Sequence, residues 1–242
     1  MRASIAVFYI AALATSAVLH AQSQADPDAL YRERATLAKA REAATIWSER
    51  LAKDPKDFES AWKLARATYW LGGHEDQAAR RPALERGVEA GRQASVLEPT
   101  RPEGYFWMAA SMGSLAESFG MRQGLKYRTP IREALEKVLQ IDAAYQNGSA
   151  DRALGRWYFK VPGLFGGSNK KSEEHLRKSL TYDQNSNASR FFLAETLFEL
   201  NRKAEAIAEL QKVIDGPVNP EWAPEDREFK QQAAERLKKE KR

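Results

Sequence analysis

Short polar breaks cut this sequence at intervals that recur, and that recurrence limits what the chain can become. They read DPKD at 54–57, LGGHED at 71–76, EPTRPEG at 98–104, RTP at 128–130, NGS at 147–149, VPGLFGGSN at 161–169, DQNSN at 183–187 and DGPVNPEWAPED at 215–226. Between them, from Leu30 onward, apolar residues follow helical spacing, and no alternating strand of five or more residues occurs. Every second break ends a pair of segments. These pair ends fall at Pro55, Pro99 and Ala143, 44 residues apart, and then near Gln184 and Val218, 41 and 34 residues further on. A helix pair of this size cannot bury its apolar face alone and must stack on its neighbours. The expectation is an all-α array of about ten helices.

The clearest unit is RFFLAETLFELNRKAEAIAELQKVID. It puts Leu193, Ala194 and Leu197 on its first helix and Ala206, Leu210 and Val213 on its second. This is tetratricopeptide spacing. The same frame places Trp62 and Tyr69 at large apolar positions, and Gly87 and Ala94 at small positions where two helices approach closely. The longer units carry GGHEDQAARRP and VPGLFGGSN as insertions, which are expected on the binding face. The last segment, PEDREFKQQAAERLKKEKR, has Pro224 near its start, acids in its first turn and bases in its last, the pattern of a capping helix.

The N-terminus reads as an export leader. Arg2 precedes an uncharged stretch from Ile5 to Leu19, followed by HAQSQADP. Those fifteen residues fall short of the roughly 20 needed to span a bilayer. Residues 1–23 are expected to be a signal peptide cleaved between Ala21 and Ala25, leaving 26–242 as one helical-repeat domain. The chain has no cysteine, hence neither disulfides nor a thiol for a lipid anchor. A periplasmic or secreted protein that is not a lipoprotein is expected. Net charge is +5, with 38 bases against 33 acids, so the basic excess is small.

Reactive chemistry is poorly represented. GLFGGSNKKS fails as a phosphate loop, because Ser168 and Asn169 stand where a Walker A sequence needs Gly and Lys, and no strand precedes it. It reads instead as a helix break with Ser168 or Asn169 capping the restart. The three histidines, His20, His74 and His175, are scattered, and carboxylate loops of the hard-metal type are missing, so no metal and no cofactor are expected. No Gly-x-Ser-x-Gly occurs. An enzyme would require His74 or His175 within about 3 Å of a serine or carboxylate inside a pocket. KKSEEHLRKS and RLKKEKR interleave acids with bases, which describes solvated helix faces and no nucleic-acid surface.

The segments SADRALGRWYFKVPGLFGGSNKKSEEHLRKSL and FFLAETLFELNRKAEAIAEL, with the PEW and EDREFKQQAAERL ending, resemble the T component of tripartite ATP-independent periplasmic (TRAP) transporters. More remotely the chain is similar to the regulator of microtubule dynamics proteins. The resemblance runs from about Ala61 to the C-terminus. It implies a periplasmic helical-repeat protein that forms an oligomer such as a trimer, meets the transporter's solute-binding P component and offers a largely apolar channel or pocket. The missing cysteine departs from the lipoprotein relatives. The alternative is a tetratricopeptide scaffold for envelope assembly.

In the repeat frame, the first helix of each unit turns a stripe toward the concave groove. Here that stripe is Lys63 and Trp70, then Met108 and Met112, then Arg152, Arg156 and Phe159, then Phe191, Glu195 and Phe198. Such a surface suits a partner protein, or a ligand with a hydrophobic body and an acidic group held by Arg152 or Arg156. No catalysis is expected.

Overall fold

The computed structural model describes residues 25–240, so the leader assigned to 1–23 lies outside the described residues. Eleven α-helices occur, and no strand is found among the described residues. They are α1 (Pro27–Arg32), α2 (Leu37–Lys53), α3 (Phe58–His74), α4 (Gln77–Leu97), α5 (Pro102–Ser118), α6 (Met121–Ile141), α7 (Tyr145–Lys160), α8 (Asn169–Tyr182), α9 (Asn187–Glu199), α10 (Lys203–Asp215) and α11 (Ala223–Glu240). Each helix packs on its neighbours in sequence. In addition α3 touches α5, α5 touches α7, α7 touches α9 and α9 touches α11. The first helices of successive pairs therefore form an inner row, the arrangement of a helical-repeat array.

Local chemistry sets the helix starts. Asp57, Asp76, Ser168 and Ser186 accept the backbone N–H of Ser60, Ala79, Lys171 and Ser189 respectively. Pro224 lies in the first turn of α11, as its sequence indicates. Before the regular part of α7, Gln146, Asn147 and Gly148 have φ of 44°, 56° and 74°, so NGS interrupts the helical path. The six core residues read from the clearest unit, Leu193, Ala194, Leu197, Ala206, Leu210 and Val213, are all fully buried.

Two breaks fall elsewhere than expected. RTP does not interrupt the chain: α6 runs through Pro130, and the turn before it lies at Phe119 and Gly120, the latter with φ of 80°. Beyond Pro130, Ile131, Ala134, Leu135 and Val138 form a buried stripe, and its burial outweighs the roughly 3 kcal/mol that an interior proline costs. Nor is GGHEDQAARRP a loop. Helix α3 continues to His74, only Glu75 and Asp76 separate it from α4, and Pro82 sits within α4. The helical position 72 is held by glycine because a Cβ at Gly72 would come within 2.3 Å of Leu84 Cδ2. Gly72 serves helix packing, whereas a Cβ on Gly73 would meet nothing within 4 Å, and the extra residues lengthen the helices.

Close approach between units uses glycine in the same way. A Cβ on Gly87 would lie 2.4 Å from Ser111 Oγ and 2.9 Å from Thr68 Oγ1, while one on Gly91 would lie 2.7 Å from the Met108 backbone nitrogen. The buried core falls into one cluster spanning α1 to α7, with Trp47, Leu84, Leu115 and Leu154, a second spanning α8 to α11 around Leu176 and Leu210, and a small third one of Phe58, Ala61 and Ala94 between α3 and α4. Hydroxyls mark the region of α8 and α9. Ser172 bonds Thr196 and Ser179 bonds Ser189, each at 2.8 Å.

Gly91→Ala should lose about 1–3 kcal/mol in urea denaturation, because the obstacle is backbone. Gly113→Ala in α5, where a Cβ meets nothing within 4 Å, should be neutral or gain up to about 1 kcal/mol.

Candidate functional site: a covered cavity

The inner row encloses space. A cavity of about 800 Å³ lies between helices α3, α5, α7 and α9 on one side and the segment Pro217–Phe229 on the other. Tyr69, Phe106, Trp107, Trp157 and Phe192 give it apolar walls from the array, and Trp222 and Phe229 supply the C-terminal side. This strap is fixed by its own sequence. Pro217 follows the end of α10, Pro220 opens a single turn at Pro220–Trp222, and Pro224 lies in the first turn of α11, where proline is tolerated. Asp226 accepts the Asn219 N–H at 2.8 Å and closes the bend.

Strap and array are joined by side chains from opposite ends of the chain. Arg34, in the turn after α1, is 3% exposed. Its Nε and Nη2 donate to the two oxygens of Glu225 at 2.9 and 2.5 Å, and Nη2 also donates to the Glu221 carbonyl at 2.8 Å. Its guanidinium lies 5.0, 5.3 and 5.8 Å from the rings of Tyr31, Trp70 and Trp222. A second fastener is His74 at the end of α3. It stacks on Trp70 at 3.6 Å, its Nδ1 contacts the Trp70 carbonyl at 2.7 Å, and its Nε2 meets Glu228 of α11 at 2.8 Å. Burial disfavours the imidazolium, but the contacts with Glu228 and the Trp70 carbonyl together outweigh it and raise the His74 pKa above its ordinary value.

The charges facing the cavity are unevenly satisfied. Of the acids, Glu117 pairs with Arg156 at 3.0 Å and Lys160 at 3.7 Å, Glu225 holds Arg34, Asp226 caps Asn219, and Asp183 accepts the Asn185 N–H at 2.8 Å. Arg156 also bonds Glu195 at 2.6 Å, so two carboxylates neutralise it. Arg152 is different. It lines the cavity half-buried, and among the described residues it forms no ion pair and no hydrogen bond. Withdrawal from water lowers its pKa from the usual arginine value, and the guanidinium stays charged.

The ten residues assigned to the groove are thus divided. Arg152 and Arg156 line the cavity, and Glu195 reaches it through Arg156. Lys63 pairs with Asp28 at 2.9 Å. Trp70 is buried and donates Nε1 to the Arg34 carbonyl at 2.8 Å. Met108 packs against Gly91 of α4 and Met112 is buried in the core, both away from the cavity. Phe159 borders a small recess with Pro162 and Gly163, Phe191 packs on Phe229 at 5.5 Å, and Phe198 lies under Arg236 at 4.6 Å. VPGLFGGSN stays off the main cavity: a Cβ on Gly167 would fall 1.5 Å from the Val161 carbonyl oxygen, so the loop folds tightly on itself. The strap residues Trp222 and Phe229 were not among the expected ten. Their available signal was a tryptophan set among three prolines.

Both histidines do meet carboxylates, His175 with Asp151 at 2.7 Å and His74 with Glu228 at 2.8 Å. Neither lines the cavity, and no serine bonds either ring among the described residues. Asp151, fully buried, is also 3.4 Å from Lys178, and the His175 ring stacks on Tyr158 at 5.3 Å. These pairs serve helix packing. No group of three or more potential metal ligands occurs among the described residues, and no helix among them is long and apolar enough to cross a membrane.

Inner row, paired helices and covered face together define a tetratricopeptide-type repeat protein with an internal cavity. A solved thermophilic tetratricopeptide protein of Thermus thermophilus, TTC0263, is similar, with a TM-score of 0.65 at 22% identity over 87% of this chain and 97% of that one. Two structures of MamA give TM-scores of 0.51 at 16% identity, covering 83% and 85% of this chain and 95% and 92% of theirs. No curated protein matches the sequence. The profile of the TRAP transporter T-component matches residues 102–242, and that of regulator of microtubule dynamics protein 1-3 matches residues 24–165. Each covers more than half of the chain, which belongs to the TRAP transporter T-component family and shares its N-terminal part with the RMD1-3 family.

Arg34→Ala should cost about 2–5 kcal/mol in urea denaturation, since it strips a buried partner from Glu225. His74→Gln should cost less than about 1 kcal/mol, its pair being partly exposed. Because the folded-state pKa of His74 is raised, its contribution is complete below the unfolded value of about 6.5 and is lost as pH rises through the folded value. The stability gap between wild type and His74→Gln should therefore be wider at about pH 5.5 than at about pH 8.5, as read from paired denaturation curves.

Proposed function

We propose that this chain is an exported, non-catalytic accessory of TRAP-type solute uptake that holds a small ligand in its covered cavity and works beside the transporter's solute-binding component. One observation carries this reading. The T-component match begins at Pro102, the first residue of α5, and so takes in α5, α7, α9 and the strap, which supply most of the cavity wall, including Arg152. The part of the chain that the family describes is the part that builds the enclosure. Export follows from the leader expected at 1–23, and oligomer formation from the family likeness. The scaffold alternative is less favoured, because the strap occupies the concave face that an extended peptide would need.

Affinity purification of the tagged protein from envelope extract of its own organism, read by mass spectrometry, should recover a TRAP solute-binding component. Its N-terminus should begin within residues 22–26. Recovery of outer-membrane assembly proteins in its place would favour the scaffold.

A further inference from the structure

We infer that the first half of α6, together with the turn Gly163–Phe165, docks on an anionic lipid surface. The inference is independent of the cavity and of what fills it. Helix α6 has two halves of different character. Its buried residues, Ile131, Ala134, Leu135 and Val138, all lie beyond Pro130, and none of residues 121–130 is buried. That first half nevertheless carries two exposed apolar side chains, Met121, with 77% of its surface in solvent, and Leu125. With Arg128 they follow spacings of four and three residues, which puts all three on one helix face. The turn Gly163–Phe165 stands beside the end of that face: the Phe165 ring lies 5.6 Å from the Arg128 guanidinium, and Leu164 is 89% exposed. Four of the seven exposed large hydrophobic side chains among the described residues thus belong to this face and turn, the others being Val96, Tyr182 and Val218. A Cβ added to Gly120, Gly124 or Gly163 would meet nothing within 4 Å, so the surroundings are open. A cluster of this kind marks an interaction surface.

Charge selects the occupant. Residues 118–132 include Arg122, Lys126, Arg128 and Arg132 and no acid, and residues 152–172, which contain the turn and then Lys170 and Lys171, include no acid either. Arg132 pairs with Glu136 at 3.6 Å, whereas Arg122, Lys126 and Arg128 form no ion pair among the described residues. Arg122 in the first turn of α6, where no acid stands, also opposes the helix dipole, so the fold itself gains nothing from it. An anionic bilayer answers both halves of the pattern. Its headgroups neutralise the cations, and its acyl boundary takes up Met121, Leu125 and Leu164. A nucleic acid or an acidic protein surface would engage the cations and leave those aliphatic ends in water.

The test is co-sedimentation of the purified protein with vesicles of phosphatidylcholine alone or with about 30% phosphatidylglycerol. The anionic vesicles should bind at least about tenfold more tightly, and raising salt from about 0.05 to 0.5 M should weaken that binding. Arg122→Gln, Lys126→Gln and Arg128→Gln together should cost about 100-fold, at about fivefold per cation. The same exchange at the exposed Lys53, Lys56 and Lys239 gives the same net charge and should cost less than about threefold. Leu125→Ser with Leu164→Ser should cost about tenfold and leave the salt dependence in place, which separates a lipid surface from a purely ionic partner. Leu164→Asp, confined to an exposed turn, should by itself cost about tenfold and keeps the test decisive should the α6 variants not fold. Equal binding to both vesicles, or equal loss in the two charge variants, would overturn the inference. Absence of vesicle binding would do so too, and a dimer in light scattering that the α6 charge variant dissociates would then assign the face to a second copy.

Discussion

Arg34 is the constraint on which the closed shape depends. A guanidinium with 3% of its surface exposed must be neutralised and hydrogen-bonded where it sits, and its own region offers only the carbonyl of Tyr31 at 3.5 Å. The carboxylate that does it belongs to Glu225, 191 residues away. The pair ties the turn after α1 to the start of α11, and the segment it holds forms one side of the cavity. The aromatic rings around Arg34 contribute twice, since they screen the ion pair from water and continue into the wall of the cavity through Tyr31 and Trp222.

The architecture was legible because its causes are local. Apolar spacing, caps such as Asp57 and Ser168, and the small residue at Gly87 act over a few residues and are readable from them. The exceptions have local explanations as well. Pro130 marks a break when read by itself, yet four buried residues downstream hold the helix together around it. The glycines at 72 and 73 resemble a turn until Leu84 is seen against the first of them.

The site was half legible for the opposite reason. Arg152 and Arg156, which the repeat frame turns toward the groove, both line the cavity. The frame could not show that Arg156 is neutralised by Glu117 and Glu195 from neighbouring helices and that Arg152 is left alone. Nor could it show the strap. The frame describes a groove open to solvent, and the contacts that cover it join residues far apart in sequence, with no periodicity to announce them. Met108 and Met112, placed in the groove by analogy with other units, face α4 and the core.

The ring of contacts also orders events in time. Stacked repeats consolidate by propagation between neighbours, so α1 to α7 can settle while the C-terminal part of the chain is still arriving. Glu225, 191 residues beyond Arg34, can complete the pair only once the C-terminal part of the chain is present. Until it docks, the cavity lacks the side of its wall that Trp222 and Phe229 supply.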